Sequence, residues 1–495
     1  MSFFARSRAL PSIAAYSRRN RTRTAVAFIT VGSTLALTGR KIQCDHGTLV
    51  DPNQDEETND VFASRFRKPK WTDSQYFSAD YLLSGGPSWW PSETSGIDRC
   101  DALTIASNHE SEDFISAYFG DMKDPEDGRT FIGLFDGHNG PATADFLSTH
   151  LMSLLQRTLA KLPQQYEYSD TLDLHVAPPF EDDSVNKTIK QLFREVDEAI
   201  IDPTEVLSSN SKTNAIRTLR EAYSGSCALV SVYEPDIRLL RVALTGDSRA
   251  VLGRRVKGKD GKDTYAVHVL SLDQNAHNPA EVARLSAEHP GEKVVDKGRV
   301  MGWGMSRAFG DAAYKWSIEV QKQLHQRFLG DRPMADDKTP PYLTAEPEIK
   351  NFVVKRGDFL IMASDGLWEC LTSEEAVGLV GIWLKNNRDS VHTDRPLRDF
   401  EAPREEDRTQ YLPQDLPVAL KDKDDTLYYR WWKAEKRFVN VDRSAAAHLI
   451  RNAFGGADSD LTNALLSMTA PRSRRYRSVA ILHALTIHYS YRVQR

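Results

Sequence analysis

Alternating apolar and polar positions organise most of the chain into short strands and amphipathic helices. Residues 130–135 form an uninterrupted apolar run that predicts a buried strand, and apolar residues at helical spacing predict a helix within 142–162. Residues 239–245 and 249–255 flank Gly-Asp-Ser, which indicates a strand, a tight turn and a second strand. Residues 96–495 are therefore predicted to form one domain.

Three segments lack this periodicity. Residues 45–95 are polar and rich in Pro, Ser, Asp and Trp, which is typical of a linker. Residues 164–183 are mostly polar, and residues 385–430 are dense in charged residues and Pro. Long aperiodic stretches of this kind are uncommon inside compact domains, so both are predicted to be surface insertions.

The first 44 residues differ from the rest in composition. They contain Arg and Ser repeatedly and no acid before Asp45, which is typical of a mitochondrial transit peptide. A disordered basic tail is the alternative. Residues 25–37 are apolar and nearly uncharged, but they are shorter than the roughly 20 residues needed to span a bilayer. A sorting signal and a marginal inner-membrane anchor both remain open for this segment.

Charge and cysteine content exclude several classes of protein. The net charge of -5 and pI near 6.3 give no indication of a nucleic-acid partner. The cysteines Cys44, Cys100, Cys227 and Cys370 form no C-x-x-C pair. They predict reduced thiols in an intracellular protein, and neither a disulfide framework nor a zinc site.

Three aspartates follow predicted strands. Asp136 follows the run at 130–135, Asp247 lies in Thr-Gly-Asp-Ser, and Asp365 follows the apolar run at 358–363. A neighbouring Gly permits a sharp turn and a close approach to a ligand. Several acids that converge from strand ends make an oxygen-rich site suited to Mg²⁺ or Mn²⁺. Each Asp-Gly alone is an ordinary turn, whereas three behind apolar runs favour a metal site.

Six short segments resemble, in the same order, the motifs of the type 2C metal-dependent protein phosphatases. They are residues 133–140 (GLFDGHNG), 224–228 (SGSCA), 245–251 (TGDSRAV), 270–273 (LSLD), 305–311 (MSRAFGD) and 363–369 (ASDGLWE). Residues 435–442 (EKRFVNVD) and 446–456 (AAHLIRNAFGG) resemble the pyruvate dehydrogenase phosphatase branch and its fungal mitochondrial relatives. The resemblance implies an α+β fold, a four-layer α-β-β-α sandwich with two central antiparallel sheets and a dinuclear metal site at one end.

The resemblance also implies a ligand set for two Mg²⁺ or Mn²⁺ ions. Asp136 would bridge both ions, the Gly137 carbonyl would bind one of them, and Asp365 would bind the first. Glu112 would help to hold the second ion through water, with Asp113 beside it.

A weaker third ion site is implied by Asp247 together with Asp365 and Glu369. Many relatives have Asp where Glu369 stands, so the role of this residue stays open. Two neighbouring cations would activate a bridging water for attack on phosphorus, and His138 would protonate the leaving serine or threonine oxygen. Asn108 stands where many relatives carry a phosphate-binding Arg. The pyruvate dehydrogenase phosphatase branch resembles this chain in having Asn there, and Asn108 would be a phosphate contact that supplies no charge.

The C-terminus departs from the family pattern. After residues 474–477 (RRYR), Ser478 and Val479 occupy the place of an Asp that completes the first ion's ligands in the family. Residues 480–495 contain no acid and do not resemble the family's final strand. An altered reading frame and a genuine loss of the ligand are the two alternatives, and loss of one carboxylate would weaken metal binding.

Two functions from different classes follow. The first is a Mg²⁺- or Mn²⁺-dependent serine/threonine phosphatase of mitochondrial phosphoproteins, among which the branch resemblance makes the E1α subunit of pyruvate dehydrogenase the first candidate substrate. The alternative is a catalytically silent phosphatase fold that binds phosphoproteins or a partner enzyme, because the C-terminal Asp is absent. A metal-dependent nuclease would need a basic groove, which the sequence does not indicate. The matrix and the intermembrane space, with inner-membrane association through residues 25–37, are the expected locations.

Overall fold

The computed structural model describes eight longer segments of the chain and three short strands near the N-terminus. These are residues 29–31, 34–37, 40–43, 79–107, 111–120, 128–162, 183–334, 338–387, 409–421, 424–476 and 482–489. Helices and antiparallel strands alternate along them, which confirms the α+β class.

Most strands belong to two six-stranded antiparallel sheets. In chain order the strands are β1 (Ile29–Val31), β2 (Thr34–Leu37), β3 (Arg40–Gln43), β4 (Ser88–Trp89), β5 (Ile97–Ile105), β6 (Phe114–Tyr118), β7 (Thr130–Phe135), β8 (Gly137–His138), β9 (Gly225–Ser226), β10 (Ala228–Glu234), β11 (Leu239–Thr245), β12 (Arg249–Lys257), β13 (Asp263–Val269), β14 (Val295–Asp296), β15 (Arg299–Val300), β16 (Phe309–Gly310), β17 (Glu348–Val353), β18 (Phe359–Ala363), β19 (Gln410–Tyr411), β20 (Phe438–Val439) and β21 (Leu482–Tyr489). The first sheet has the order β1-β6-β7-β10-β11-β17 and the second has the order β13-β12-β18-β21-β5-β4. Three further pairs are small, and the three-stranded sheet β16-β9-β8 joins segments that are far apart in sequence.

The helices are short apart from two. They are α1 (Ala79–Ser84), α2 (Ala142–Phe146), α3 (Met152–Leu159), α4 (Ser184–Ile201), α5 (Thr204–Ser208), α6 (Lys212–Thr218), α7 (Arg220–Tyr223), α8 (Pro279–Glu288), α9 (Ile318–Phe328), α10 (Asp365–Trp368), α11 (Ser373–Asn386), α12 (Tyr428–Trp432), α13 (Ala445–Ala453), α14 (Ser459–Ser467) and α15 (Ser473–Tyr476). A π-helical turn at Leu147–Leu151 joins α2 to α3, so the helix predicted within 142–162 is confirmed with an irregularity in its middle.

The two large sheets share a hydrophobic cluster. Alternate residues of β7 divide between two environments: Ile132 and Leu134 belong to the cluster that also contains Leu360 of the second sheet. Phe131 and Phe135 pack instead with residues of α2, α3 and α4. Because both of its faces are covered, β7 is a continuous apolar run without alternation, as the sequence predicted.

Several predicted irregular segments contain ordered elements. Residues 79–95, assigned to the linker, include α1, β4 and a 3₁₀ turn. Leu83 of α1 is buried in the cluster with α13 and α14, and the Ala79 N–H donates to Asn463 Oδ1 at 2.8 Å. Residues 409–421 and 424–430 of the second predicted insertion include β19, which pairs with β20, and part of α12.

Other predictions concern residues outside the described part of the chain. Residues 1–28 of the leader, residues 164–182 of the first insertion and residues 388–408 of the second lie there. Among the described residues, no helix has the length and apolar character that crossing a membrane requires.

The acid-free C-terminal segment contributes β21, in spite of its lack of sequence resemblance to the family's final strand. It pairs with β18 on one side and with β5 on the other. Ile487 and Tyr489 enter the cluster shared by the two sheets, while the ring of His488 stacks on Trp383 at 5.6 Å. This alternation is that of a strand covered on both faces.

Candidate functional site

Asp136 lies directly after β7, in the sheet position that the apolar run predicted. It is 6% exposed, and its backbone carbonyl accepts a hydrogen bond from the Cys227 N–H at 2.9 Å. The next two residues form β8, which pairs with β9 in the small three-stranded sheet. The carboxylate of Asp136 is therefore held between a rigid strand and a short second pairing.

Two neighbouring acids are tied to the loop that follows Asp136. Asp113 Oδ1 accepts from the Gly137 N–H at 3.0 Å, and Glu112 Oε1 accepts from the Gly140 N–H at 2.9 Å. A Cβ at Gly137 would meet the Glu112 carbonyl oxygen at 2.1 Å, so this position requires Gly. The structure thus brings Glu112 and Asp113 to the loop that follows Asp136, and their roles as ligands stay predictions.

Asp247 reaches the same place from the turn between β11 and β12. One carboxylate oxygen each of Asp136 and Asp247 and the Cys227 Sγ all lie within 4.8 Å of one another. The Cys227 thiol donates to Asp247 Oδ1 at 3.3 Å. The turn itself is held by Gln274, whose Oε1 accepts from the Gly246 N–H at 2.7 Å.

Asp365 is the first residue of α10 and comes two residues after β18. Glu369 lies one turn later, and its N–H donates to the Asp365 carbonyl at 2.9 Å. Because a helical turn separates them, both acids lie on one side of α10. The charges of Asp113 and Asp247, which adjoin strands of the first sheet, act on Asp365.

The charges of these acids act on one another. Removal from water raises the pKa of Asp136 well above its ordinary value, and the charges of Asp113, Asp365 and Asp247 raise it further. The pKa of Asp365 is raised well in the same way, by desolvation and then by Asp247, Glu369 and Asp113. Crowded carboxylates with raised pKa values are a set of oxygen donors whose charge a divalent cation would neutralise. The residues present therefore fit Mg²⁺ or Mn²⁺.

His138 faces this acid cluster and has a partner of its own. Its Nε2 lies 2.6 Å from Asp311 Oδ2, and its ring makes an edge contact with Trp303 at 5.4 Å between centroids. Burial alone lowers the pKa of His138, but the charge and hydrogen bond of Asp311, with smaller contributions from Asp247 and Glu112, outweigh burial and raise it. A raised pKa extends the pH range over which the imidazole is protonated.

Comparison with known proteins shows the family to which the chain belongs. Residues 104–402 match the model of the family described as protein phosphatase 2C. The chain belongs to the protein phosphatase 2C family.

Curated relatives extend the likeness beyond the family model. A protein phosphatase 2C homologue of Schizosaccharomyces pombe is 39% identical over 388 residues, which cover 77% of this chain and 78% of that protein. The mitochondrial pyruvate dehydrogenase (acetyl-transferring) phosphatase 1 of Saccharomyces cerevisiae is 34% identical over 401 residues, 77% of this chain and 67% of the yeast protein. Its counterpart in Bos taurus is 32% identical over 372 residues, 71% of this chain and 62% of the bovine protein. The resemblance to the pyruvate dehydrogenase phosphatase branch is therefore confirmed.

In this phosphatase 2C domain, three residues at the site had no role assigned from the sequence. Asp311 ends the segment 305–311 and Cys227 lies within 224–228, and both segments carried the family resemblance. Their positions inside those motifs were the only local signal. Trp303 had none, since a lone aromatic residue in a Gly-rich loop predicts no contact with a particular histidine. Asn108, the predicted phosphate contact, and Ser478 lie outside the described residues.

Proposed function

We propose that this protein is a Mg²⁺- or Mn²⁺-dependent serine/threonine protein phosphatase that hydrolyses phosphoserine and phosphothreonine in mitochondrial phosphoproteins. One observation carries the proposal: oxygens of Asp136 and Asp247 lie close together beside Asp365, at the ends of different strands. Membership of the protein phosphatase 2C family supports the reaction class. The proposal includes the four-layer α-β-β-α arrangement with a dinuclear site at its end.

The metal ligands are proposed from the donor atoms. Asp136, the Gly137 carbonyl and Asp365 would hold the two ions, with Glu112 acting on the second through water and Asp113 orienting Gly137. Asp247 and Glu369 would add a weaker third position. Bound divalent cations supply an activated water and neutralise phosphate charge.

His138 is proposed to protonate the serine or threonine oxygen that leaves phosphorus. An alkoxide is a poor leaving group, so a positioned acid near neutral pH lowers this barrier. The Asp311 carboxylate at 2.6 Å from Nε2 orients the ring and favours its protonated form. No covalent phosphoenzyme is required, and Cys227 is not proposed as a nucleophile, because burial raises the pKa of its thiol well above the ordinary value.

The substrate and location are proposed by similarity. Two of the relatives described above are named as mitochondrial pyruvate dehydrogenase phosphatases. The E1α subunit of pyruvate dehydrogenase is accordingly the proposed substrate. The Arg- and Ser-rich first 44 residues support import into mitochondria, in the matrix or the intermembrane space.

The alternative function, a catalytically silent phosphatase fold, is supported by a single feature. Ser478 and Val479 stand in place of the C-terminal Asp. Every other predicted ligand is present in the sequence. A cluster that keeps its remaining carboxylates is expected to bind the first ion more weakly and still to bind it. We therefore propose activity that requires a raised metal concentration.

The test is phosphate release by the full chain from p-nitrophenyl phosphate and from a phosphothreonine peptide, across Mn²⁺ and Mg²⁺ titrations. Asp136→Asn is the matched control, since it keeps the side-chain shape and removes the charge. Metal-dependent turnover that disappears in Asp136→Asn is the expected result. A folded wild-type chain without turnover in either metal contradicts the proposal, and Ser478→Asp then shows whether the missing carboxylate is the reason.

A further inference from the structure

A buried ion pair lies beside the proposed acid–base residues without contacting the metal-binding carboxylates. Lys315 Nζ lies 2.8 Å from Asp197 Oδ1 and 2.7 Å from Asp197 Oδ2. Asp197 is on α4 and is 6% exposed, while Lys315 follows the 3₁₀ turn Ala312–Tyr314 and is 9% exposed. A buried ion pair is often no more stabilising than apolar residues of the same size, because desolvation offsets the attraction. Its presence here calls for a more specific explanation.

Both charged groups bind the backbone on either side of Phe309. Asp197 Oδ1 accepts from the Gly310 N–H at 2.9 Å, and Lys315 Nζ donates to the Ala308 carbonyl at 2.8 Å. The pair therefore holds β16 through the Ala308 carbonyl just before the strand and the Gly310 N–H within it. Either group would otherwise be a buried polar atom in need of a partner.

The held segment leads directly to Asp311. Gly310 has φ +67°, and a Cβ there would meet the Ser224 carbonyl oxygen at 2.2 Å. Asp311 is itself left-handed at φ 45°, and its N–H donates to the same Ser224 carbonyl at 2.9 Å. Left-handed conformations are unfavourable for residues other than Gly, so contacts must hold Asp311 in this turn.

The small sheet β16-β9-β8 links Gly310 to His138 through strand pairing. Gly310 pairs with Gly225 of β9, and Gly225 pairs in turn with His138 of β8. The Asp311 carboxylate then reaches the imidazole, with its Oδ2 at 2.6 Å from Nε2. Asp197 thus binds Gly310, the residue directly before Asp311. It therefore acts on the turn that sets the distance between the Asp311 carboxylate and the His138 ring.

We propose that Asp197 and Lys315 are positioning residues for proton donation by His138. They hold Ala308 and Gly310, and thereby keep the Asp311 carboxylate under the imidazole. The effect on catalysis rests on the proposed phosphatase function, whereas the positioning of Asp311 can be measured without turnover. The pair acts through Asp311 and touches neither substrate nor metal.

Two double variants of the full chain separate positioning from simple packing. Asp197→Ala with Lys315→Met removes the pair without stranding a charge and leaves Gly310 without its acceptor. Asp197→Asn with Lys315→Met also removes both charges but keeps an amide oxygen for the Gly310 N–H. Arg254→Met is the control, because it breaks another largely buried pair, with Asp358 at 2.6 Å, on a strand of the second large sheet.

The first measurement is the downfield proton NMR signal of the imidazole N–H in the His138–Asp311 hydrogen bond, assigned by its loss in His138→Gln. The second is the ratio of turnover on the phosphothreonine peptide to turnover on p-nitrophenyl phosphate, whose leaving group needs little protonation. We expect the Ala/Met variant to lose the signal. Its ratio should fall about 10- to 100-fold, part of the contribution of a general acid. The Asn/Met variant and Arg254→Met should keep both near wild type.

An unchanged NMR signal in the folded Ala/Met variant overturns the proposal. So does an Asn/Met variant that loses the signal as fully as the Ala/Met variant, because the backbone acceptor would then not be the cause. If the wild-type chain shows the signal and no turnover on either substrate, the proposed function fails. The signal in the double variants still decides the positioning.

Discussion

Two groups of buried acids in this molecule differ in what surrounds them. Glu281 of α8 is 1% exposed and accepts hydrogen bonds from Arg307 at 2.5 Å, Arg284 at 2.8 Å and Ser306 at 2.6 Å. Burial raises the pKa of Glu281, but these bonds outweigh it and bring the pKa to about 2. Asp136 is equally buried, but its strongest neighbours are other carboxylates, and its pKa is raised.

Under the proposed function, this difference is the one between an acid that stabilises the fold and an acid that binds a metal ion. At Glu281 the chain supplies its own cations, so the charge is satisfied when the protein folds. At Asp136 the chain gathers charges of one sign, and the proposed metal ions would supply the compensating charge. Clusters of the second kind are typical of functional sites, because their arrangement is unfavourable until the ligand binds.

The largest expected effect is on activity at the carboxylate cluster. Asp365→Asn should lower turnover by more than the roughly 100-fold that loss of an outer-shell partner costs a metal site. In metal-free protein it should leave the melting temperature unchanged or higher, since it removes a repelling charge. Turnover assays with calorimetric melts in chelator check both statements. A cooperative melt with full activity would disprove the assignment of Asp365.

The second-largest expected effect is a loss of stability when Glu281 is replaced. Glu281→Gln leaves Arg307 with a buried, poorly compensated charge, and we expect a loss of about 3 kcal/mol in the free energy of unfolding. Urea titration measures it. Glu288→Gln is the matched control on the same helix. Glu288 pairs with Arg284 at 2.7 Å and is largely exposed, so it should change stability by less than about 1 kcal/mol. Equal losses in the two variants would contradict the comparison.

The smallest expected effect is the pH dependence of the stability difference between wild type and Glu281→Gln. The pKa of Glu281 falls from 4.5 to about 2 on folding, so its carboxylate stabilises the folded state above about pH 4.5. That contribution decreases as the pH falls through the window from 4.5 to about 2. The stability gap between wild type and Glu281→Gln should therefore narrow steadily over this window, as measured by urea unfolding at each pH. A constant gap would mean that charge is not its cause.

The sequence predicted the parts of the site that local patterns specify. Asp136, Asp247 and Asp365 each follow an apolar run and adjoin a glycine, and both features can be read from the sequence. The strand-terminal acids could thus be found without any knowledge of which strands pair. Their roles as metal ligands and the transit peptide remain predictions.

The sequence could not predict the contacts that depend on long-range pairing. Asp311 reaches His138 only because β8, β9 and β16 meet, and each of these strands has two residues. Strands of this length carry no periodic signal. The helix α1 was missed for a similar reason, since its six residues are too few to show an amphipathic pattern and its burial comes from α13 and α14.

The position of β21 has a consequence for how the chain folds. Residues 482–489 insert between β18, more than a hundred residues earlier, and β5, near the start of the domain. Until this strand arrives, β5 and β18 each present an unpaired edge, which is open to pairing with other chains. Closure of the second sheet is therefore a late event that joins distant parts of the chain, and such contacts slow folding. In a chain that emerges from the ribosome N-terminus first, the second sheet would therefore stay open, with the edges of β5 and β18 exposed to other chains, until β21 is free to pair.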